Sequence, residues 1–348
     1  MGRYTQRMSS RLKVAVIGVG SLGREHARLY GELAAADLVE LTGVFDVNRE
    51  SANAVAAKLG VRAFGAIHEA AATAEALSIV TPTVTHYEVA RALLTQGKHL
   101  LVEKPMTETT AQAAELVSLA QQHQAVLQVG HVERFNPVFK FLTEVCRVPR
   151  FIEAHRLSPY PKRSTDIGVV LDLMIHDLDV VLAFVNSPVQ SVDAVGLTVL
   201  SQTEDIANAR LRFANGCVAN LTASRVSAEK MRKIRVFSAG EKPSYVSLDY
   251  KEQKGFLFRL AHDGEHPSSL LQKLLHANDS AIVSEFAGKK IVREPVPIQK
   301  EEPLKLELEH FIECVKTRQR PLVSGESAKL ALDLALEITR QIQAAGRS

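Results

Sequence analysis

A glycine-rich turn near the start of the chain limits the possible folds more than any other feature. "KVAVIGVG" is a short apolar run rich in β-branched residues, and "SLGREHARLYGELAAA" after it has the apolar spacing of a helix. Gly18, Gly20 and Gly23 thus form G-x-G-x-x-G between a predicted strand and a predicted helix. Glycines there permit a tight turn and a close approach of the backbone to a pyrophosphate. We expect a dinucleotide-binding turn; the alternative is a glycine turn in a plain α/β fold.

The segments that follow continue the alternation of strand and helix. "VELTGVFDVN" has the character of a strand, "RESANAVAAKLG" that of a helix that stops at Gly60, and "ALSIV", "KHLLV" and "AVLQVG" that of further strands separated by helical segments. Such alternation is typical of a parallel sheet wound on both sides. We predict a tail at 1–10 and a dinucleotide-binding Rossmann domain at 11–134.

The second part of the chain has a different texture. Strand-like runs separated by Asn-Gly, Gly or Pro turns follow one another without helices between them, which indicates an antiparallel sheet. Helical patterns near 168–185, 303–318 and 325–344 bracket these runs. We therefore predict an α+β domain at 135–348, with a large, mainly antiparallel, open-faced sheet that binds substrate and mediates oligomerisation. The segment 262–292 has no clear period, and its role is left open.

Composition excludes several classes of protein. Hydrophobic residues make up 46% and charged residues 23% of the 348 residues, with 42 basic and 39 acidic side chains interspersed, which is typical of a globular protein. No lysine and arginine block with interleaved aromatics is present, so nucleic acid is not an expected partner. The three cysteines form no C-x-x-C and imply neither a disulfide framework nor a metal site. No apolar run suits a signal peptide or membrane span, and we expect a cytoplasmic protein.

Polar residues follow several predicted strands, at the edge where parallel sheets bind ligands. Asp46 ends the second strand, 23 residues past Gly23, where a carboxylate can accept hydrogen bonds from the adenosine ribose. This favours NAD over NADP, although the nearby Arg49 weakens the preference. "EKP" at 103–105 and "TPT" at 81–83 end two further strands; both are also common turn sequences.

"LDLMIHDLDVV", at 171–181, carries four ionisable residues in an apolar helix. Asp172 and His176 are four residues apart and Asp179 follows three later, so the three share one helical face. We expect Asp172 and His176 to face a polar ligand; the alternative is a structural pair of i,i+4 residues. Asp177 and Asp179 are expected to be structural, bonded to neighbouring backbone or arginine.

Taken together, these motifs resemble those of the Gfo/Idh/MocA family of NAD(P)-dependent oxidoreductases. The resemblance rests on G-x-G-x-x-G, E-K-P, "GHVERFNP" at the domain junction and D-x-x-x-H within "LDLMIHDLD", which occur in this order over most of the chain. In this family the lysine of E-K-P and the aspartate and histidine of D-x-x-x-H surround the carbinol that is oxidised. The resemblance implies catalytic roles for Lys104, Asp172 and His176, with His176 as the general base, since an ordinary histidine titrates near pH 6.5.

The motifs, their positions and the resemblance together suggest the remaining contacts. The expected cofactor contacts are Gly18, Gly20, Ser21, Leu22, Gly23, Asp46, Thr81, Pro82, Thr83, His86, Glu103 and Lys104. The expected substrate contacts at the domain junction are His131 and Arg134, for which packing is the alternative. Further substrate contacts are expected from a basic cluster on the loop that precedes the helix at 168–185, which could bind a diphosphate and consists of Arg156, Lys162 and Arg163. A solvated basic loop is the alternative reading of that cluster.

The second half of the chain resembles a branch of the family that acts on sugar nucleotides. Members of this branch oxidise the 3-hydroxyl of UDP-N-acetylglucosamine, and a separate aminotransferase dependent on pyridoxal phosphate then converts the ketone into an amine for a diamino-sugar lipid A. A myo-inositol, free-sugar or UDP-sugar-acid dehydrogenase, and a non-catalytic dinucleotide-binding sensor or co-repressor, stay open as alternatives. The family further implies a homo-oligomer, a dimer or a tetramer, assembled through the C-terminal sheet.

Overall fold

The computed structural model describes residues 11–160, 167–240, 243–261, 281–286 and 289–345, with the backbone alone for 281–286. The chain divides into two compact units. The first comprises the chain up to His131 together with Leu304–Lys329, and the second comprises Val132–Pro303 and the chain from Leu330 onward. The predicted tail at 1–10 lies outside the described residues.

Strands and helices alternate through the first unit. Its elements are β1 (Leu12–Ile17), α1 (Ser21–Ala35), β2 (Val39–Phe45), α2 (Arg49–Leu59), β3 (Arg62–Ala63), α3 (Ile67–Thr73), β4 (Ala76–Ile79), α4 (Thr83–Leu94), β5 (His99–Glu103), α5 (Thr110–Gln122) and β6 (Leu127–Gly130). The strands form a six-stranded sheet in the order β3-β2-β1-β4-β5-β6. Every pair in this sheet is parallel, which confirms the predicted Rossmann architecture.

Local sequence accounts for the ends of these helices. The side chain of Asn48 accepts a hydrogen bond from the Ser51 amide at the start of α2, which ends at Gly60 in a left-handed conformation with φ of 66°. At the start of α5, Thr109 and Gln112 form a reciprocal capping box. β1 is buried along nearly its whole length, as expected for a strand with helices on both faces of its sheet.

One stretch predicted for the second domain belongs to the first unit. Helix α8 (Pro303–Thr317) places Leu308 and Phe311 in the hydrophobic core of this unit. The amide of Gln128 donates to the Glu307 carbonyl at 3.1 Å, and the Val129 amide donates to the Val323 carbonyl at 3.0 Å. Because these contacts join segments far apart in sequence, a division of the chain at a single point could not anticipate them. The predicted boundary of 134/135 is corrected accordingly.

The second unit is built on a large sheet. Its elements are a 3₁₀ turn (Val132–Phe135), α6 (Pro137–Val145), β7 (Pro149–Leu157), a π-helical turn (Val170–Met174), α7 (Ile175–Val185), β8 (Val189–Leu197), β9 (Ile206–Phe213), β10 (Val218–Ser224), β11 (Met231–Ser238), β12 (Ser244–Asp249), β13 (Lys254–Leu260), β14 (Ala281–Phe286), β15 (Lys289–Pro295) and the part of α9 (Gly325–Ala345) from Leu330 onward. The nine strands have the order β14-β15-β13-β12-β11-β7-β10-β9-β8.

This sheet is mainly antiparallel, with β7 and β10 paired in parallel, as the sequence predicts for the second domain. Its two faces differ in burial: along β7, Ile152, Ala154 and Arg156 are buried, whereas Phe151 and Glu153 are half-buried. The predicted helices at 168–185, 303–318 and 325–344 are present. Helices α3 and α6 were not predicted. Of the segment 262–292, the described residues 281–286 and 289–292 lie in strands β14 and β15.

None of the described helices is both long and apolar enough to span a membrane.

Candidate active site

The glycine turn of the first unit has the geometry that a dinucleotide requires. Gly18 has a φ of +89°, and a Cβ there would lie 2.5 Å from the Val80 carbonyl oxygen. A Cβ on Gly23 would lie 1.9 Å from the Gly18 carbonyl oxygen, so this glycine permits α1 to pack against the turn. A Cβ on Gly20 would meet nothing within 4 Å. Gly20 therefore borders open space, where a ligand can approach the backbone.

The amino terminus of α1 faces the same turn. Its N-cap is Gly20, which has no side chain to satisfy the first amides, and its first turn contains no acidic residue. Ser21 and Leu22 are the first two helical residues, and both are exposed. The positive end of the helix dipole and these amides can bind an anion such as a pyrophosphate.

Asp46 lies directly after β2 and is held beside the glycine turn. Its Oδ2 accepts a hydrogen bond from the Val19 amide at 2.7 Å, and its Oδ1 accepts one from the Asn48 amide at 2.8 Å. The guanidinium of Arg49 donates to the Phe64 carbonyl. The carboxylate, with acceptor capacity left, is thus fixed where ribose hydroxyls of a dinucleotide would be bound.

The E-K-P sequence ends β5 at the carboxyl edge of the parallel sheet. Glu103 is buried: its Oε1 is 3.0 Å from His26 Nε2, and its Oε2 accepts the Lys104 amide at 3.2 Å. Gly130 on β6 leaves room for this carboxylate, because a Cβ there would lie 2.6 Å from it. Glu103 therefore has a structural role in this unit, and its predicted contact with the cofactor stays a prediction. Lys104, the next residue, is half-buried.

The T-P-T turn follows β4 at the same edge. Thr81 and Thr83 are half-buried and Pro82 is exposed. His86, on α4, is buried, and its ring nitrogens lie 2.8 Å from the Thr81 carbonyl oxygen and 2.9 Å from the Pro105 carbonyl oxygen. His86 thus links the T-P-T turn to the E-K-P turn, and its predicted contact with the cofactor stays a prediction.

In the second unit, Asp172 and His176 lie on the helical segment that the sequence singled out. Asp172 is within the π-helical turn and His176 is in the first turn of α7, and both side chains are half-buried. A π-helical turn contains an extra residue relative to an α-helix and often marks a functional site. This unit therefore carries two of the three predicted catalytic residues, and the first unit carries Lys104. That the three act together on one substrate stays a prediction.

Asp177 bonds an arginine, as predicted. Arg156 donates to it twice, from Nε and Nη2 at 2.9 Å each, and donates from Nη1 to Glu133 at 2.9 Å. All three residues are buried. Burial opposes the charged form of Arg156, but the two carboxylates raise its pKa above the ordinary value. Arg156 lies in β7 and not on a loop, and its charge is already compensated, so its predicted contact with a substrate diphosphate is corrected.

Asp179 bonds the second arginine. Arg134 Nη1 lies 3.5 Å from Asp179 Oδ1, and the guanidinium lies 5.0 Å from the centre of the Phe139 ring. Burial raises the pKa of Asp179 to about 7, while the charge and hydrogen bond of Arg134 act in the opposite direction. The side chain of Arg134 is 8% exposed and His131, in the first unit, is 1% exposed. Both side chains thus have little exposure to solvent, and their predicted contacts with the substrate stay predictions. Lys162 and Arg163 lie outside the described residues.

Among the buried charged residues that the sequence did not single out are Glu133, Asp205 and Arg225. Glu133, within "GHVERFNP", accepts from Arg156 and from Asn136. Arg225 and Asp205 form a buried pair at 2.8 Å. Glu133 could have been suspected because it lies in a recognised motif, whereas the pairing of Arg225 with Asp205 depends on strand register and has no local signal.

Comparisons with known proteins agree with this arrangement. Residues 12–131 match the model of the oxidoreductase family with the NAD-binding Rossmann fold, GFO_IDH_MocA, and residues 146–245 match the GFO/IDH/MocA C-terminal domain. A UDP-N-acetylglucosamine 3-dehydrogenase from Acidithiobacillus ferrooxidans is 36% identical, over 96% of this chain and 98% of the relative.

A solved structure of the enzyme of that name from the same organism covers 96% of this chain and 98% of its own, with a TM-score of 0.83 and 35% identity. A myo-inositol 2-dehydrogenase from Thermotoga maritima is 25% identical over 95% of this chain and 96% of the relative. The chain belongs to the Gfo/Idh/MocA family and is an NAD(P)-dependent oxidoreductase that acts on CH–OH groups.

Proposed function

We propose that the protein oxidises the 3-hydroxyl of UDP-N-acetylglucosamine to a ketone, with NAD as the oxidant. The observation that carries this proposal is the relative from Acidithiobacillus ferrooxidans, which is similar over nearly the full length of both chains. The presence of Lys104, Asp172 and His176 at the motif positions supports a catalytic protein rather than a sensor.

Each of the three residues has a distinct role in the proposed reaction. His176 takes the proton of the sugar hydroxyl, for which a group that titrates near neutral pH is suited. The ammonium of Lys104 stabilises negative charge that develops on the same oxygen. Asp172 orients the substrate or the His176 ring. A nicotinamide cofactor, held by the glycine turn and Asp46, would supply the acceptor for the hydride of the carbinol carbon.

NAD is the proposed cofactor in preference to NADP. The fixed carboxylate of Asp46 would accept hydrogen bonds from the two ribose hydroxyls of NAD and would repel the 2′-phosphate of NADP. Arg49 is engaged with the Phe64 carbonyl, which supports the same preference. Asp46→Ala should therefore weaken NADH binding more than NADPH binding.

The second candidate is a dehydrogenase of myo-inositol or of a related polyol or free sugar. The similarity to the myo-inositol 2-dehydrogenase from Thermotoga maritima favours it, although at lower identity. Dehydrogenation of a UDP-sugar acid is the third. A chain that binds NADH but oxidises no substrate would act as a sensor or co-repressor.

The product defines the biological setting that we propose. A 3-keto sugar nucleotide is a substrate for an aminotransferase dependent on pyridoxal phosphate, and the resulting amine would enter the synthesis of a diamino-sugar lipid A. Nucleotide sugars and NAD are cytoplasmic metabolites, so we place the reaction in the cytoplasm. The half-buried face of the second unit's sheet is the proposed contact between subunits of a dimer or tetramer.

A substrate panel tests the proposal. The protein is mixed with NAD and UDP-N-acetylglucosamine, a UDP-sugar acid or myo-inositol, in the presence of an aminotransferase and glutamate that trap any 3-keto sugar nucleotide. We expect NADH formation with UDP-N-acetylglucosamine and at least tenfold less with the other substrates. Faster turnover of inositol than of UDP-N-acetylglucosamine would contradict the proposed substrate. NADH binding without turnover of any substrate would favour a role as a sensor or co-repressor.

A further inference from the structure

The helical segment that carries Asp172 and His176, here called the catalytic helix, consists of the π-helical turn Val170–Met174 and α7. Its start is bonded to the loop between β8 and β9. The carbonyl oxygen of Glu204 accepts a hydrogen bond from the Val169 amide at 2.9 Å, and its side-chain Oε1 accepts one from the Val170 amide at 3.2 Å. The first amides of a helix have no partner within it. Glu204 therefore caps the π-helical turn Val170–Met174 with both its backbone and its carboxylate.

Gly168 makes room for this cap. A Cβ at position 168 would lie 1.8 Å from Glu204 Oε1 and 2.2 Å from the carboxyl carbon. The carbonyl of Gly168 in turn accepts a hydrogen bond from the Asp172 amide at 3.0 Å. The position of Glu204 is thus linked to that of Asp172 through a single residue.

Arg225, which directly follows β10, also bonds the backbone just before this turn. Its side chain is fully buried, and its Nη1 donates to the Ile167 carbonyl at 2.6 Å. Its Nε donates to Asp205 at 2.8 Å, and its Nη2 donates at 2.8 Å to both Ser201 and Thr203. The guanidinium therefore joins the carbonyl just before Gly168 to the loop that carries Glu204.

Asp205 is the third residue of the group that holds residues 167–170. We call this group, Glu204, Asp205 and Arg225, the clamp. The Oδ2 of Asp205 accepts hydrogen bonds from the amides of Val199, Leu200 and Ser201, at 2.8, 2.6 and 3.0 Å. Burial would raise the pKa of Asp205, but the hydrogen bonds from Arg225 and these amides hold it well below its ordinary value. The loop is thus rigid where it meets the catalytic helix.

We propose that Glu204 and Arg225 are positioning residues for the catalytic helix. They hold the π-helical turn in the register that directs Asp172 toward substrate, and they act through the backbone of residues 167–170. The inference rests on the proposed function, because it assigns Asp172 a role in that reaction. Without the cap the extra residue of the π turn can be absorbed into a regular helix, which changes the direction of Asp172 relative to His176.

Kinetics of Glu204 variants test the proposal. Glu204→Met keeps the side-chain volume and removes the acceptor, whereas Glu204→Gln retains an oxygen for the Val170 amide and is the matched control. We expect Glu204→Met to lower kcat by about 100-fold, because misplacement of a reacting group has an effect of this size. The KM for the sugar nucleotide and the Kd for NADH should stay within about twofold of the wild-type values. Glu204→Gln should stay within about threefold of wild-type kcat, and Arg225→Lys should retain more activity than Arg225→Met.

A second readout does not depend on turnover. In protein labelled with ¹⁵N-histidine, the His176 resonances, assigned with His176→Gln, should move in Glu204→Met and coincide with wild type in Glu204→Gln. If wild type oxidises no sugar, the proposed function fails and these spectra still test the clamp. A folded Glu204→Met with unchanged kcat and His176 resonances would overturn the inference. If that variant does not fold, Glu204→Asp, which is too short to reach the Val170 amide, is judged by the same criteria.

Discussion

At the scale of single residues, the second unit depends on charges that are buried and paired. Arg156 lies between Asp177 and Glu133, and the three have almost no exposure to solvent. Burial of such charges costs desolvation free energy. Removal of one charged partner is more destabilising still, because the remaining buried charges are then uncompensated. The sequence predicts a structural role for Asp177 but a substrate contact for Arg156, because burial of an arginine is decided by partners far away along the chain.

Arg156→Met should therefore destabilise the protein strongly. The change leaves two buried carboxylates without their cation, and the expected loss in the free energy of unfolding is roughly 3–5 kcal/mol. Urea denaturation measures it. Arg150→Met is the control, because Arg150 lies on the same strand, is exposed, and donates to the Asn215 carbonyl. A loss of less than about 1 kcal/mol for Arg156→Met, the range of exposed pairs, would contradict the assigned burial.

Asp179 gives a prediction for the dependence of stability on pH. Its pKa in the folded protein is raised to about 7 from an ordinary value of 3.8, with burial as the largest cause. Between these two values the unfolded chain loses the proton that the folded protein keeps, so this residue lowers the free energy of unfolding as pH rises from about 4 to about 7.

Asp179→Asn removes that dependence. The free energy of unfolding of Asp179→Asn, minus that of wild type, should increase from pH 5 to pH 8, as measured by urea denaturation at both values. A difference that does not change between pH 5 and pH 8 would show that Asp179 is ionised in the folded protein throughout this range.

At the scale of elements, two glycines of the turn before α1 have different predicted roles: Gly23 is needed for folding and Gly20 for NADH binding. Gly23→Ala would place a Cβ 1.9 Å from the Gly18 carbonyl oxygen, so we expect α1 to be displaced, with a fall in the melting temperature and a loss of NADH binding. Gly20→Ala places its Cβ in open space at a φ of −64°, which any residue can adopt.

Gly20→Ala should therefore keep the wild-type melting temperature while it weakens NADH binding by at least about tenfold, since backbone approach to the pyrophosphate is blocked. Thermal denaturation and NADH fluorescence titration measure the two effects. Equal NADH affinity of Gly20→Ala and wild type would exclude this turn as the pyrophosphate site.

The elements also show how far sequence reasoning reaches. The parallel sheet, the glycine turn and the helix at 168–185 could be predicted because each has a local period or a motif. The π-helical turn Val170–Met174 could not, because no local pattern marks it and the carboxylate that bonds its first amide, that of Glu204, comes from a distant loop. Similarly, α8 joins the first unit through contacts of Phe311 in that unit's core, and the helical period alone does not reveal which core a helix joins.

At the scale of the whole molecule, the half-buried face of the nine-stranded sheet carries a row of aromatic rings. Phe237 stacks on Tyr245 with ring centres 4.5 Å apart, and the row continues to Phe151 at 5.9 Å from Phe237 and to Phe258 at 5.0 Å from Tyr245. Phe237 remains 41% exposed. A row of this kind is suited to the centre of a subunit interface.

Phe237→Arg should therefore lower the oligomeric state. The added charge would be buried at the proposed contact without a partner, and sedimentation equilibrium should show a shift from dimer or tetramer toward smaller species. Leu322→Arg is the control, since Leu322 is exposed to a similar extent, 44%, and belongs to the first unit. A wild-type protein that is a monomer at micromolar concentration would contradict the proposed assembly.

Oxidation of the 3-hydroxyl breaks the C3–H bond of the sugar, and an isotope label follows that hydrogen. UDP-N-acetylglucosamine with deuterium on C3 is incubated with the protein and NAD under conditions that trap the ketone, and the NADH formed is analysed by mass spectrometry. We predict NADH one mass unit heavier than from unlabelled substrate, with no NADH from Lys104→Met or His176→Gln. Unlabelled NADH from the same substrate, or no NADH from wild type, would contradict oxidation at the 3-hydroxyl.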